Sequence, residues 1–167
     1  MKPEIWGAAI DSVIGDGAPR MIVPTPSGRP FTQELAQELA AEPWLLFACG
    51  RYEGIDSRVM LDYGARLRVD EVSIGDYVLT GGEIPAMALV DCVSRMIPGV
   101  LADEVCFTDE SHFAGLLEYP QYTRPAVWHG RAIPELLTSG NHEKVRQWRR
   151  KQALRRTRQR RPDMYEK

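Results

Sequence analysis

CGRYEGID at residues 49–56 and SIGDYVLTGGE at residues 73–83 are two glycine-punctuated loops. Each follows a short apolar run (Trp44 to Cys49, and Leu67 to Val72 interrupted by charges) and each precedes a helix-like stretch. That order places both loops at the carboxyl ends of strands, which is where open α/β sheets bind ligands. In the second loop Gly75, Gly81 and Gly82 surround Asp76, Tyr77 and Leu79. A residue without Cβ lets main-chain groups come close to a flat ligand or adopt φ > 0. A nucleotide-like ligand is the natural expectation, although glycine clusters also serve as plain turns. Neither GxGxxG opening a βαβ unit nor GxxxxGK followed by Ser or Thr is present, so two common phosphate-binding signatures are excluded.

Working outward, the chain reads as an irregular segment to Pro19 and a short strand from Arg20 to Val23. Thr32 caps a helix through Ala41 that stops before Pro43, and Trp44 to Ala48 is an apolar buried strand. Asp56 caps a helix toward Tyr63, a strand ends near Val72, and Glu83 to Met96 is an apolar helix. Pro85 lies in its first turn and Pro98-Gly99 ends it. Helices near Pro134 to Leu137 and from Asn141 to Arg161 close the chain, the last stopped by Pro162. The stretch from Pro98 to Pro134 has no strong period, and a structureless segment of that length is a functional loop or an interdomain linker. The expected fold class is α/β: a mainly parallel sheet with helices on its faces, followed by a small helical domain.

A chain of 167 residues bounds one domain of ordinary size with a small appendage. It shows no secretory pattern and no apolar run of membrane-spanning length, so a cytoplasmic protein without a membrane partner is expected. Cys49, Cys92 and Cys106 are odd in number and spaced unlike a zinc site or a disulfide framework, and His112, His129 and His142 are equally scattered. No metal ligands are expected.

The formal charge of -2 conceals an asymmetry. Residues 144–161 carry ten Lys or Arg and no acid; removing those ten from the 21 basic residues leaves 11 against 23 acids, near -12 for the remainder. Like charges three and four residues apart destabilise an isolated helix. A polyanionic partner or a packed acidic neighbour is therefore expected, and nucleic acid is preferred over a plain solvated face.

Four ordered motifs, CGRYEGID, SIGDYVLTGGE, SRMIPGVL at 94–101 and GLLEYPQYTRP at 115–125, closely resemble the bacterial tRNA (guanine-37-N1)-methyltransferases, the TrmD family of the knotted SPOUT class. The likeness runs from Met1 to about Asp163. It implies S-adenosyl-L-methionine lying against Gly50 and the loop Ile74, Gly75, Asp76, Tyr77, Val78, Leu79, with Pro24 and Gly81 nearby. Mg2+ would accompany the reaction without a dedicated protein site. The implied partners are tRNA, methylated at N1 of guanine 37 beside the anticodon, and a second copy, the active sites of a homodimer being shared between one subunit's cofactor loop and the other's linker. The knot rests wholly on the resemblance, since no local pattern predicts one.

The resemblance also distributes roles. Arg95 matches an arginine that balances negative charge near the reacting base; taken alone, an Arg at a helix end complements the helix dipole. A carboxylate must take the N1 proton, a contribution on the order of 100- to 10,000-fold. The family uses an aspartate directly before a serine, whereas here Glu110 precedes Ser111 and Asp109 stands one earlier, so both acids remain candidates. Glu53 and Ser111 are expected at the substrate, and Arg149, Arg150, Arg155, Arg156 and Arg158 on the tRNA. The implied organisation is a SPOUT cofactor domain at 1–101, an interdomain linker and active-site loop at 102–126, and a helical tRNA-binding domain at 127–167. The strand, helix and glycine-rich segment with which family members begin precede the point corresponding to Met1, so the first domain is expected to be incomplete at its amino end. The alternative reading is a non-catalytic RNA-binding remnant of the family.

Overall fold

The computed structural model describes residues 1–101 and 115–165, and the chain divides into two compact units, Met1–Ala102 and Asp103–Lys167. In the first unit the order is α1 (Pro3–Ile14), β1 (Arg20–Pro30), α2 (Gln33–Ala40), β2 (Leu45–Phe47), α3 (Ser57–Gly64), β3 (Val69–Ser73) and α4 (Glu83–Ser94). The sheet runs β2-β1-β3 and both pairings are parallel, with Met21 opposite Leu46 on one side and Val69 on the other. The α/β class and the parallel sheet flanked by helices are as expected from the sequence.

Local chemistry starts the helices where the cap residues stand. The Thr32 hydroxyl accepts from the Leu35 amide at 3.3 Å and the Asp56 carboxylate from the Arg58 amide at 3.0 Å, each satisfying a donor that the first helical turn leaves open. Apolar periodicity then decides which face each element buries. Along β1, Met21 and Val23 join Ile10, Ile14, Val59 and Tyr63 from α1 and α3, while Ile22 joins Leu35, Leu39, Leu89 and Val93 from α2 and α4. The central strand is thus buried on both faces, as an all-parallel sheet requires. Each fully buried Met, Ile or Leu in these layers contributes about 1.5–3 kcal/mol.

Arg20, at the amino end of β1, has a side chain only 1% exposed, held 2.6 Å from Asp70, 2.9 Å from Glu38 and 3.1 Å from Glu42. Arg29 reaches Asp70 at 2.6 Å and Arg68 bonds Glu38. Arg20, the buried centre of this network, lies at the end of β1 opposite the two glycine loops.

Three expectations for this unit need correction. The segment before Pro19 is not irregular: Pro3–Ile14 is helical, because Trp6, Ile10 and Ile14 recur every four residues and Pro3 occupies a first-turn position that lacks a bonding partner for its missing N–H. The strand at Arg20 does not stop at Val23. It continues to Pro30, bulging between Pro24 and Arg29 and pairing with Val72 on both sides of the bulge. The apolar helix after the second loop ends at Ser94 rather than Met96.

The second unit holds an antiparallel hairpin, β4 (Val127–Trp128) and β5 (Arg131–Ala132), a 3-10 turn at Glu135–Thr138, α5 (His142–Arg160) and α6 (Pro162–Tyr165). Asn141 caps α5 by accepting from the Lys144 amide at 3.0 Å. The chain from Leu117 to Tyr122 lies along that helix: the Leu117 amide donates to Thr157 Oγ1 at 2.9 Å, and Tyr122 and Trp148 pack with ring centroids 6.4 Å apart. The hairpin falls inside the stretch expected to be without structure. Its strands are two residues long, too short for any period to register. Pro162 does not merely stop α5 but opens α6.

Candidate functional site

The two loops that decide the fold meet each other in the first unit. The Gly82 amide donates to the Gly50 carbonyl at 2.8 Å, Arg51 and Gly81 form an antiparallel bridge, and Arg51 Nε lies 2.7 Å from Glu83 Oε1. A Cβ on Gly82 would stand 2.9 Å from Cys49 Cα and 3.1 Å from the Gly50 amide nitrogen, so the main chains touch here only because residue 82 is bare. A Cβ on Gly81 would instead meet the Glu83 carboxylate and the Arg51 stem, which are side chains and can move. Within the second loop Gly75 has φ +154, and its amide and carbonyl are both bonded to the Ser73 hydroxyl, at 3.2 and 3.0 Å.

Between these loops and the bulged end of β1 is a cavity of about 450 Å³, within the usual range for a small-molecule site. It opens at the carboxyl ends of β1 and β3. The chain turns from β1 to β2 in one direction and to β3 in the other, so this is the switch point at which doubly wound sheets hold ligands. Apolar side chains such as Ile55, Met60, Val72 and Pro85 line it together with Glu53 and Glu71, and no Lys, Arg or His is among its lining residues. A cavity with carboxylates and no cation suits a positively charged ligand and disfavours a phosphate.

Of the residues expected at the cofactor, Gly50, Ile74, Gly75 and Tyr77 line this cavity, as do Val78, Leu79, Pro24 and Gly81. Asp76 belongs to the same loop but not to the lining. Glu53, expected at the substrate, lines the cavity too. Arg95 caps the carboxyl end of α4; that helix begins beside the cavity, so its twelve residues carry Arg95 about 18 Å along the axis from it. Glu110, Asp109 and Ser111 lie outside the described residues. Sequence reasoning missed Thr25, Pro26 and Ser27, which line the cavity from the β1 bulge. Their signal is Gly28, where a Cβ would overlap the main chain of Glu71 and Val72.

Local electrostatics tie the loops further. Glu83 is held below the ordinary carboxylate value by its own main-chain amide and then by Arg51. Cys49 is pushed up, first by burial and then by the Glu83 charge, which leaves it a poor nucleophile. Mg2+ draws no support from the described residues, among which no group of three His, Cys, Asp or Glu side chains could hold a metal ion.

The five arginines expected on RNA belong to the second unit, and the structure separates them. Arg156 is half-buried and donates to the Glu118 carbonyl at 3.2 Å. Arg149 lies over the Tyr119 ring, 4.8 Å from its centroid. Arg150 and Arg155 are exposed and, like Lys151, are engaged by no ion pair among the described residues. An open groove along α5 and α6 is lined by Lys151, Arg155, Arg158 and Tyr165.

Comparison with known proteins gives the family. The family model described as tRNA (Guanine-1)-methyltransferase TrmD matches residues 1–167. Proteins named tRNA (guanine-N(1)-)-methyltransferase are similar throughout the chain: one from Saccharopolyspora erythraea is 54% identical over 99% of this chain and 64% of its own length. One from Acidothermus cellulolyticus is 54% identical over 98% and 59%, and one from Salinispora tropica 56% over 98% and 65%. The chain spans about three fifths of the length of these curated relatives.

Proposed function

The chain belongs to the tRNA (Guanine-1)-methyltransferase TrmD family, and from that membership we propose that it binds S-adenosyl-L-methionine between its two glycine loops and methylates N1 of guanine 37 in cytoplasmic tRNA. The observation that carries the cofactor assignment is the lining of the cavity: two carboxylates, no cation, and main chain bared by Gly50, Gly75 and Gly82. Such a lining fits an adenosine joined to a sulfonium cation. When bound, that cofactor supplies a methyl group already activated by positive sulfur.

The chain's own residues then bind and orient. The main chain of residues 74–79 and the β1 bulge close on the nucleoside, and Glu53 and Glu71 supply the negative charge a sulfonium requires. Guanine N1 becomes nucleophilic only after losing its proton, and a carboxylate of the linker, Glu110 or Asp109, accepts it. Arg149, Arg150, Arg155 and Arg158 meet tRNA phosphates, and the Ser111 hydroxyl is a further group for hydrogen bonding to the substrate.

The same reading includes self-association. Helix α4 exposes Ile84, Met87 and Val90, with Met87 71% exposed, on a helix whose other face is already buried. A helix apolar on all sides is normally covered all round, and a second copy of this chain is the cover proposed. Arg95, a helix length from the cavity of its own chain, would then serve the site of that second copy. The non-catalytic alternative is not favoured, because relatives named as methyltransferases match 98–99% of the chain.

Single-turnover methyl transfer to tRNA tests the reaction. Glu110→Gln is expected to lower the rate by about 100-fold with tRNA and cofactor affinities nearly intact, and Asp109→Asn to have a minor effect. The reverse ranking assigns the base to Asp109. Full rates in both single variants and in the double variant would remove the linker carboxylates from the mechanism.

A further inference from the structure

The hairpin β4–β5 belongs to the second unit, apart from the residues that line the cofactor cavity, and presents an exposed aromatic surface there. Its two-residue turn is His129-Gly130, with φ +48 and +73, the type I′ pattern that matches the twist of paired strands. The Ile133 amide donates to the Ala126 carbonyl at 3.0 Å and lengthens the ribbon by one pair. Trp128 stands opposite Arg131 in this register, so the two side chains share one face of the ribbon. Trp128 is 64% exposed, and the His129 ring meets its indole edge-on with centroids 4.4 Å apart.

Such a Trp is held in place by a rigid turn and by its neighbour, while its free area faces solvent. The charge around it points to the occupant. Residues 115–165 contain twelve Lys or Arg and four Asp or Glu, a net of +8, which favours a polyanion over a neutral apolar protein surface. An indole with an arginine on the same face offers a stacking plane for a nucleobase and a cation for its phosphate.

We propose that Trp128 is a stacking platform for an unpaired base of RNA, with Arg131 neutralising the adjoining phosphate. The proposal rests on the tRNA reading and narrows it, because a base inside a duplex cannot expose its face to an indole. The ribbon therefore selects single-stranded nucleotides, while the exposed cations of α5 read only backbone charge.

The test is the affinity of the full chain for two RNAs of equal length at one salt concentration, a stem-loop with an unpaired loop and a fully paired duplex. Trp128→Ala is expected to weaken stem-loop binding about ten-fold, with duplex affinity, salt slope and melting temperature unchanged. Trp128→Phe should restore most of the affinity, and Arg131→Gln should lower the salt slope by about 0.7–0.9. Equal weakening on both RNAs, or none on the stem-loop, would overturn the platform. Wild-type chain that binds both RNAs with a clear salt slope while Trp128→Ala matches it would sink this inference alone; wild type without RNA affinity would sink the tRNA reading and this with it. Loss of self-association in Trp128→Ala with RNA binding intact would overturn the proposal in favour of a protein interface.

Discussion

Gly82 donates its amide to the carbonyl of Gly50 across 2.8 Å, and that bond joins two loops that the sequence separates by more than thirty residues. It holds because no Cβ stands between the two main chains. The first prediction follows from it. Gly82→Ala forces main chain against main chain and is expected to cost about 1–3 kcal/mol, together with at least ten-fold in cofactor affinity. Gly81→Ala displaces only the Arg51–Glu83 side-chain pair and should do less on both counts. Thermal melts and cofactor titrations of the two variants check the ranking, and equal behaviour would show that the bond between the loops is not what shapes the cavity.

A second prediction concerns pH. Burial works to raise the Asp70 carboxyl, but the Arg20 hydrogen bond and the charges of Arg20, Arg29 and Arg68 outweigh it and hold Asp70 below its ordinary value. Glu38 is lowered as well, chiefly by its bond to Arg20. A carboxylate lowered in the folded state stabilises above its unfolded pKa of about 4 and loses that contribution as the pH falls through the folded value. Denaturant unfolding measured from pH 7 down to pH 3 should therefore show stability falling below about pH 4, with a shallower fall in Asp70→Asn. Identical pH profiles would mean that the network is not a source of acid sensitivity.

Removing the centre of the same network is the third test. Arg20→Met leaves Asp70, Glu38 and Glu42 facing one another without their buried cation, and breaking a buried ion pair from one side costs about 3 kcal/mol or more. Cofactor affinity of the protein that remains folded should be unchanged, since Arg20 lies at the strand end away from the cavity. A parallel drop in affinity would contradict that separation.

The fourth prediction divides the arginines of α5. Replacing Lys151, Arg155 and Arg158 by Gln should weaken tRNA binding and reduce the log-log salt slope by roughly 0.7–0.9 for each phosphate no longer neutralised. Arg156→Gln removes a bond to the Glu118 carbonyl and should lower the melting temperature instead, with the salt slope nearly intact. Filter binding across a salt series distinguishes the two outcomes; a larger slope change in Arg156→Gln would assign that residue to RNA.

What could be read in the sequence was local. Thr32, Asp56 and Asn141 announce helix starts because a cap acts on the amides of its own first turn, and the short apolar run before the first loop announces β2, whereas β3 keeps Asp70 and Glu71 because an outer strand is only partly buried. The helix at Pro3–Ile14 escaped because its buried stripe of Trp6, Ile10 and Ile14 is one residue wide and Gly7 interrupts it. Which glycine of the Gly81-Gly82 pair meets the other loop was not legible, since that depends on how two distant segments pair. The same reason hid Arg156 among its charged neighbours: only the chain folded along α5 selects it for packing.

The central claim is that the two loops form a site for a cationic nucleoside cofactor, and calorimetric titration of the chain with S-adenosyl-L-methionine and, separately, with ATP tests it most directly. Binding of S-adenosyl-L-methionine, weakened in Gly82→Ala, with no detectable binding of ATP, is the predicted result, because Glu53 and Glu71 line the cavity and no lining residue is cationic. Equal or tighter binding of ATP, or S-adenosyl-L-methionine affinity indifferent to Gly82→Ala, would contradict it.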